Sequence, residues 1–246
     1  MQSVIEAYLA QKTLSVNSQK SYLYDLQQFW AAVAPNITAT SLLHYQQTLL
    51  SLKPSVQQRK LSAVNPFLYY LYESGRLDRF HKLRLPRKQR PMKERPALQD
   101  TACLWKETSH KEGQQIALLI RELGLTPSEI ARIRRADLDA DFRVLSLESK
   151  GHRRILSLSS DLLSYVAAPG SATFLFDKKG QPYSRQWFFT RLSAYVASLG
   201  HPEWTAQFLR EQFILDRLSH GVTREELARE LGLKTSLSLE TYKEWI

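Results

Sequence analysis

"RVLSLESKGHRRILSLS" (143–159) decides the fold class of this 246-residue chain. Two runs rich in Val, Leu and Ile flank a Lys-Gly pair, which reads as a β-hairpin. Most of its surroundings carry the other period. Upstream, "QQIALLIRELGL" (114–125) reads as a buried helix. Downstream, "SRQWFFTRLSAYVASLG" (184–200), "TAQFLREQFILDRLSHG" (205–221) and "TREELARELGL" (223–233) read as helices, the last with Thr223 and Glu226 in capping-box spacing. A small sheet set among helices is therefore expected for the second half.

The first half shows only the helical period. "SVIEAYLA" (3–10) offers Ser3 as a cap with Glu6 three residues on. "SYLYDLQQFWAAV" (21–33) puts Leu23, Leu26, Phe29, Trp30 and Val33 on one stripe. "SVQQRKLSAVNPFLYYLYESG" (55–75) opens with Ser55 and Gln58 in capping-box spacing and closes at Gly75, with Pro66 expected to kink it. The expected organisation is a helical domain over 1–76, a basic linker over 77–96, and a mainly α domain with a small sheet over 97–246.

The linker is the most charged stretch. "HKLRLPRKQRPMKERP" (81–96) carries Lys82, Arg84, Arg87, Lys88, Arg90, Lys93 and Arg95 against Glu94, with three prolines that disfavour a helix. A solvated linker is one reading. A strap along a phosphate backbone is the favoured one, because each neutralised phosphate releases counterions. The formal charge of +10 agrees, since such an excess attracts polyanions.

Composition excludes several classes. With 43% apolar residues, 9 Gly and 10 Pro, the chain can bury a core and is not a disordered segment. Cys103 is the single cysteine, so there is no internal disulfide framework and no thiolate zinc site, and a reducing, cytoplasmic setting is expected. The amino terminus reads as an amphipathic helix rather than a signal segment. No apolar run approaches the ~18 residues of a membrane span.

The order of blocks in the second half resembles a known family. "ELGLTPSEIARI", "SKGHRRILSLS", "YSRQWFFTRLSAYVASLG", "FLREQFILDRLSHG" and "ELGLKTSLSLETY" follow the order of the tyrosine recombinase (phage integrase) motifs, most closely those of the Xer type. "SYLYDLQQFW" and "RKLSAVNPFLYYLYESGR" resemble that family's helical core-binding domain, so the likeness spans nearly the whole chain. It implies two helical domains on double-stranded DNA, a tyrosine that attacks a phosphodiester to form a 3′-phosphotyrosine, and no metal or nucleotide cofactor. It also implies a recombinase-type protein partner, and neither a membrane nor a small-molecule ligand.

Carried over by position, Tyr242 falls on the nucleophile, Arg210 on the second phosphate-clamping arginine, and Lys150 at the hairpin tip on the general acid. Three other positions depart. Thr126 stands where the family has its first clamp arginine, and "TPSE" reads instead as a cap, a first-turn proline and a capping-box partner at Glu129. Gln207 replaces a histidine and cannot shuttle a proton near neutral pH. Leu233 replaces a histidine or tryptophan, and His220 in the neighbouring "SHG" is no substitute. Losing one oriented transition-state donor costs about 3–4 kcal/mol, so slow or disabled strand exchange is expected. "KEWI" is also too short for the helix that family members extend past the tyrosine into a neighbouring protomer.

Three functions stay open on the sequence: a DNA-binding protein with a degenerate active site, an active recombinase with an altered site, and a protein-binding adaptor with vestigial DNA binding.

Overall fold

The computed structural model describes residues 2–85, 97–149, 152–167 and 172–245, in two units, Met1–Lys93 and Glu94–Ile246.

The first unit is built from α1 (Gln2–Ala10), α2 (Val16–Val33), α3 (Ala39–Leu50) and α4 (Pro54–Glu73), with α2 packed against the other three. The expected stripe on α2 faces the core: Leu26, Phe29 and Val33 are buried, and Leu23 and Trp30 pack at its edge. Complete burial of Phe29, Phe67 and Leu68 contributes about 1.5–3 kcal/mol each, an upper range for such side chains. Two expected caps are corrected. Ser3 lies inside α1. Lys53, not Ser55, precedes the first turn of α4, where Pro54 occupies a position whose N–H would be orphaned anyway. α4 then runs through Pro66 to Glu73, with Val64, Phe67, Leu68 and Leu71 buried on either side of the missing hydrogen bond. It ends as expected at Gly75, whose φ of 66° lets the Arg76 N–H reach back to the Leu71 carbonyl at 2.9 Å.

Residues 77–85 follow on this unit's surface. Leu83 is buried, and its N–H and C=O are both bonded to the Asn65 side-chain amide, at 2.8 and 3.0 Å. Lys82 and Arg84 are exposed. Arg87, Lys88, Arg90, Lys93 and Arg95 lie outside the described residues.

The second unit opens with a 3₁₀ turn (Ala102–Trp105), then α5 (Lys111–Leu123) and the short α6 (Pro127–Ile130). The strands β1 (Leu138–Asp139), β2 (Val144–Ser149) and β3 (His152–Ser157) form an antiparallel sheet in that order. α7 (Ser160–Val166) and a second small ribbon of β4 (Asp177–Lys178) and β5 (Gln181–Pro182) lead to α8 (Arg185–Ser198), α9 (Ala206–Ser219) and α10 (Arg224–Glu230). A final 3₁₀ stretch spans Ser236–Trp245.

α5 is the axis of this unit. Ile116 to Ile120 are all buried, and the helix packs against α7, α8 and α9. Gly113 permits the approach of α8, since a Cβ there would stand 2.5 Å from the Arg191 carbonyl oxygen and from Tyr195 Cβ. The polar groups buried alongside are anchored: Tyr195 Oη donates to the Leu104 carbonyl at 2.7 Å, and Gln114 Nε2 donates to the Leu104 and Lys106 carbonyls. The hairpin has the expected form. Ser149 pairs with His152, which leaves a two-residue connection, and Leu145↔Leu156 and Leu147↔Arg154 alternate along the inward face.

Candidate active site

Arg154 is the anomaly that locates the site. It holds a core-facing place on β3, opposite buried Leu147, and its side chain is 13% exposed. A charge so placed needs partners. Its Nη1 donates to the Glu230 carbonyl at 2.9 Å, and its Nη2 to Glu129 Oε1 at 2.5 Å. Gly232 leaves room for the guanidinium, because a Cβ there would come within 2.6 Å of Nη1.

Glu129 is placed by its own helix start. α5 ends at Gly124, in the left-handed region with φ 63°, and Thr126 caps α6. The Glu129 N–H donates to Thr126 Oγ1 at 3.3 Å, while Glu129 Oε2 accepts from the Thr126 N–H and hydroxyl at 2.8 and 2.7 Å. The capping box read from "TPSE" is present in full. It fixes the Glu129 carboxylate, which also faces a second guanidinium, Arg210 on α9, with Arg210 Nη1 3.7 Å from Oε2.

Arg210 is held from two sides, since its Nη2 also donates to the Leu231 carbonyl at 3.4 Å. Burial lowers its pKa from the ordinary arginine value, and Glu129 opposes that loss. Arg154 Nε and Arg210 Nη1 are buried and make no hydrogen bond among the described residues.

Tyr242 lies in the same unit. It is 7% exposed, in a cluster with Phe213, Leu215, Leu218, Leu227, Leu231 and Leu239, and its φ and ψ of −104° and 16° break the final 3₁₀ stretch. Its hydroxyl donates to Glu211 Oε1 at 3.0 Å. Burial first, then the Glu211 charge and hydrogen bond, push its pKa well above the ordinary tyrosine value, while Arg210 pulls the other way. Successive residues of α9 thus serve the two sides: Arg210 toward Glu129, Glu211 toward Tyr242.

The remaining expected positions are scattered around this centre. Gln207 is exposed on the first turn of α9. Leu233 is half-buried against the Tyr242 cluster and does apolar packing. His220 sits at the far end of α9, ten residues from Arg210 and so ~15 Å along the axis, with Nδ1 2.8 Å from the Asp216 carbonyl oxygen. Lys150 lies outside the described residues, in the hairpin connection. Arg154, the bridging role of Glu129, and Glu211 were not read from the sequence. Arg154 did leave a signal, as a cation at an inward position of a strand.

No group of three or more His, Cys, Asp or Glu suited to a metal ion occurs among the described residues. No described helix is long and apolar enough to cross a membrane.

The mainly helical fold with an inserted hairpin is that of the tyrosine recombinases and integrases. Solved structures share the fold. A λ integrase dimer bound to a core site superposes with a TM-score of 0.74 at 10% identity, covering 99% of this chain and 95% of that one. The Tn1549 transposon integrase in complex with a circular-intermediate DNA gives 0.71 at 14% identity, covering 98% and 94%. No protein-family model matches the chain. Curated relatives do: the XerD-like tyrosine recombinase of Streptococcus suis (strain 05ZYH33) is 50% identical over 243 residues, 99% of this chain and 100% of the relative. That of Streptococcus mutans serotype c is 44% identical over 244 residues, 98% and 99% of the two chains. The chain belongs to the XerD-like tyrosine recombinases.

Proposed function

We propose that this chain is a DNA-binding recombinase homologue whose own strand cutting and rejoining is strongly impaired. The observation that carries the reading is the pairing inside the site. Arg154 and Arg210 already share the Glu129 carboxylate, and the Tyr242 hydroxyl is bonded to Glu211. The two guanidiniums thus share one carboxylate, which already engages part of the donor set that a phosphodiester in flight needs around its non-bridging oxygens.

The substitutions act in the same direction. Thr126 is a helix cap where the family's resemblance calls for a third cation. Gln207 cannot shuttle a proton near neutral pH, and Leu233 can neither donate nor accept one. Tyr242 is the inherited nucleophile position, but a phenol held protonated by burial and a neighbouring carboxylate is a poor nucleophile near neutral pH. Arg210 remains the inherited phosphate clamp and Lys150 the inherited general acid. Arg154 Nε and Arg210 Nη1, which make no hydrogen bond among the described residues, are what the pocket still offers an incoming oxygen.

Double-stranded DNA is the partner in this reading. Its support is the +10 charge, the basic run from Lys82 to Arg95, and the naming of relatives and fold neighbours as recombinases and DNA-bound integrases. Residues 1–76 are assigned as the core-binding domain, 77–96 as the linker, and 97–246 as the catalytic-type domain, acting in the cytoplasm beside a recombinase-type protein partner.

The test is equilibrium binding to duplex DNA over a range of salt concentrations. Affinity should fall steeply with salt, and Tyr242→Phe should bind as the wild type does. No duplex binding at low salt would remove the reading.

A further inference from the structure

The first unit carries an exposed aromatic cluster on α4 and the segment that follows it. Tyr69 and Tyr72 on α4 and Phe80 beyond it are 48%, 42% and 43% exposed. The Phe80 ring contacts both, edge-on to Tyr69 at 5.6 Å and tilted against Tyr72 at 6.2 Å. The Tyr69 hydroxyl is tied to Glu73 at 2.6 Å, which fixes one side of the group. Exposed rings gathered in this way mark an interaction surface rather than scattered surface apolarity.

The chain running from this cluster is patterned. Phe80, Lys82 and Arg84 are exposed, while Leu83 is buried and His81 and Leu85 are half-buried. That alternation is the signature of an extended segment with one face on the core, and it presents an aromatic and two cations on the other face, ~7 Å apart. Asn65 pins the segment through both backbone groups of Leu83. Arg76 and Arg79 are exposed just before it. None of these four cations has a side-chain ion pair among the described residues.

Rings and cations together select the partner by charge. A second copy of this chain would set like charges against each other, and an apolar protein face would strand the cations. Single-stranded nucleic acid satisfies both: unpaired bases stack on aromatic faces while phosphates track basic side chains. A base within a duplex does not present its face to such a cluster. We propose that Tyr69, Tyr72 and Phe80, with Arg76, Arg79, Lys82 and Arg84, form a binding site for unpaired nucleotides of single-stranded DNA. The inference goes beyond duplex binding and stands without the impaired chemistry proposed above.

The experiment measures the affinity of the full chain for a labelled mixed-sequence single strand and, separately, for the blunt duplex of that sequence. Tyr72→Ala and Phe80→Ala should each weaken single-strand binding roughly tenfold, the scale of one lost stacking contact, and leave duplex affinity within about twofold. Both side chains are exposed, so melting temperatures should hold. Arg79→Gln should instead flatten the salt dependence with the rings intact. Absent single-strand binding, or aromatic variants that bind single strands as the wild type does, would overturn the site. So would equal loss on both DNAs, or a wild-type dimer that Phe80→Ala dissociates without changing DNA affinity. Duplex binding with no single-strand binding would sink this inference alone.

Discussion

The Tyr242 hydroxyl donates a hydrogen bond to Glu211 in a buried setting, and this one bond has measurable consequences. Tyr8, Tyr45 and Tyr195 are pushed up to about 12, chiefly by burial, and Tyr242 is raised as well, by burial and then by Glu211. Ultraviolet titration should therefore resolve a late-ionising set of tyrosines. Glu211→Gln removes a negative charge and should bring the Tyr242 step to lower pH, with Tyr242→Phe identifying which step it is. The sign for stability follows. Each of these phenols has a folded pKa above its unfolded value near 10, so its contribution is complete below pH ~10 and is lost as pH rises toward the folded value. Melting temperature should accordingly fall on the alkaline side of pH 10. Glu129 bears on two guanidiniums at once. Glu129→Ala should cost about 3–5 kcal/mol, because it leaves Arg154 and Arg210 buried without their shared counter-charge.

Among the elements, the contact between α5 and α8 rests on one missing side chain. Gly113→Ala would press a methyl against the Arg191 carbonyl and Tyr195 Cβ, so the helices must part, at about 1–3 kcal/mol. Thermal unfolding should show the loss. Elements were also where the sequence was most legible. The hairpin, the stripe on α2 and the capping boxes at Thr126 and Thr223 each rest on local chemistry, and local chemistry is written in consecutive residues. The Ser3 and Ser55 caps were misread because the same serine-to-glutamate or serine-to-glutamine spacing occurs by chance inside helices, and Pro54 set the actual start of α4. The site was legible only in part. Tyr242 and Arg210 could be placed by motif order. The Arg154–Glu129–Arg210 cluster could not, because it joins residues 25 to 81 positions apart whose meeting depends on the packing of β3, α6 and α9.

On the scale of the whole molecule, the excess of +10 sets how the protein meets a polyanion. The logarithm of duplex affinity should fall linearly with that of salt, by about 0.9 per phosphate neutralised. Lys82→Gln and Arg84→Gln, both exposed, should each reduce the slope by about one and weaken binding alike on unrelated sequences. Substitutions in the buried apolar cluster around Tyr242, which holds no cation, should leave that slope unchanged wherever the fold survives. In the proposed reading, holding DNA and cutting it are separable properties of one chain. The most direct measurement is covalent capture: incubate the chain with nicked duplexes that trap a tyrosine-linked strand, then count complexes that survive denaturant. The account predicts a bound complex before denaturation and afterward no more adduct than Tyr242→Phe gives. Rapid accumulation of a denaturant-resistant adduct, lost in Tyr242→Phe, would contradict it.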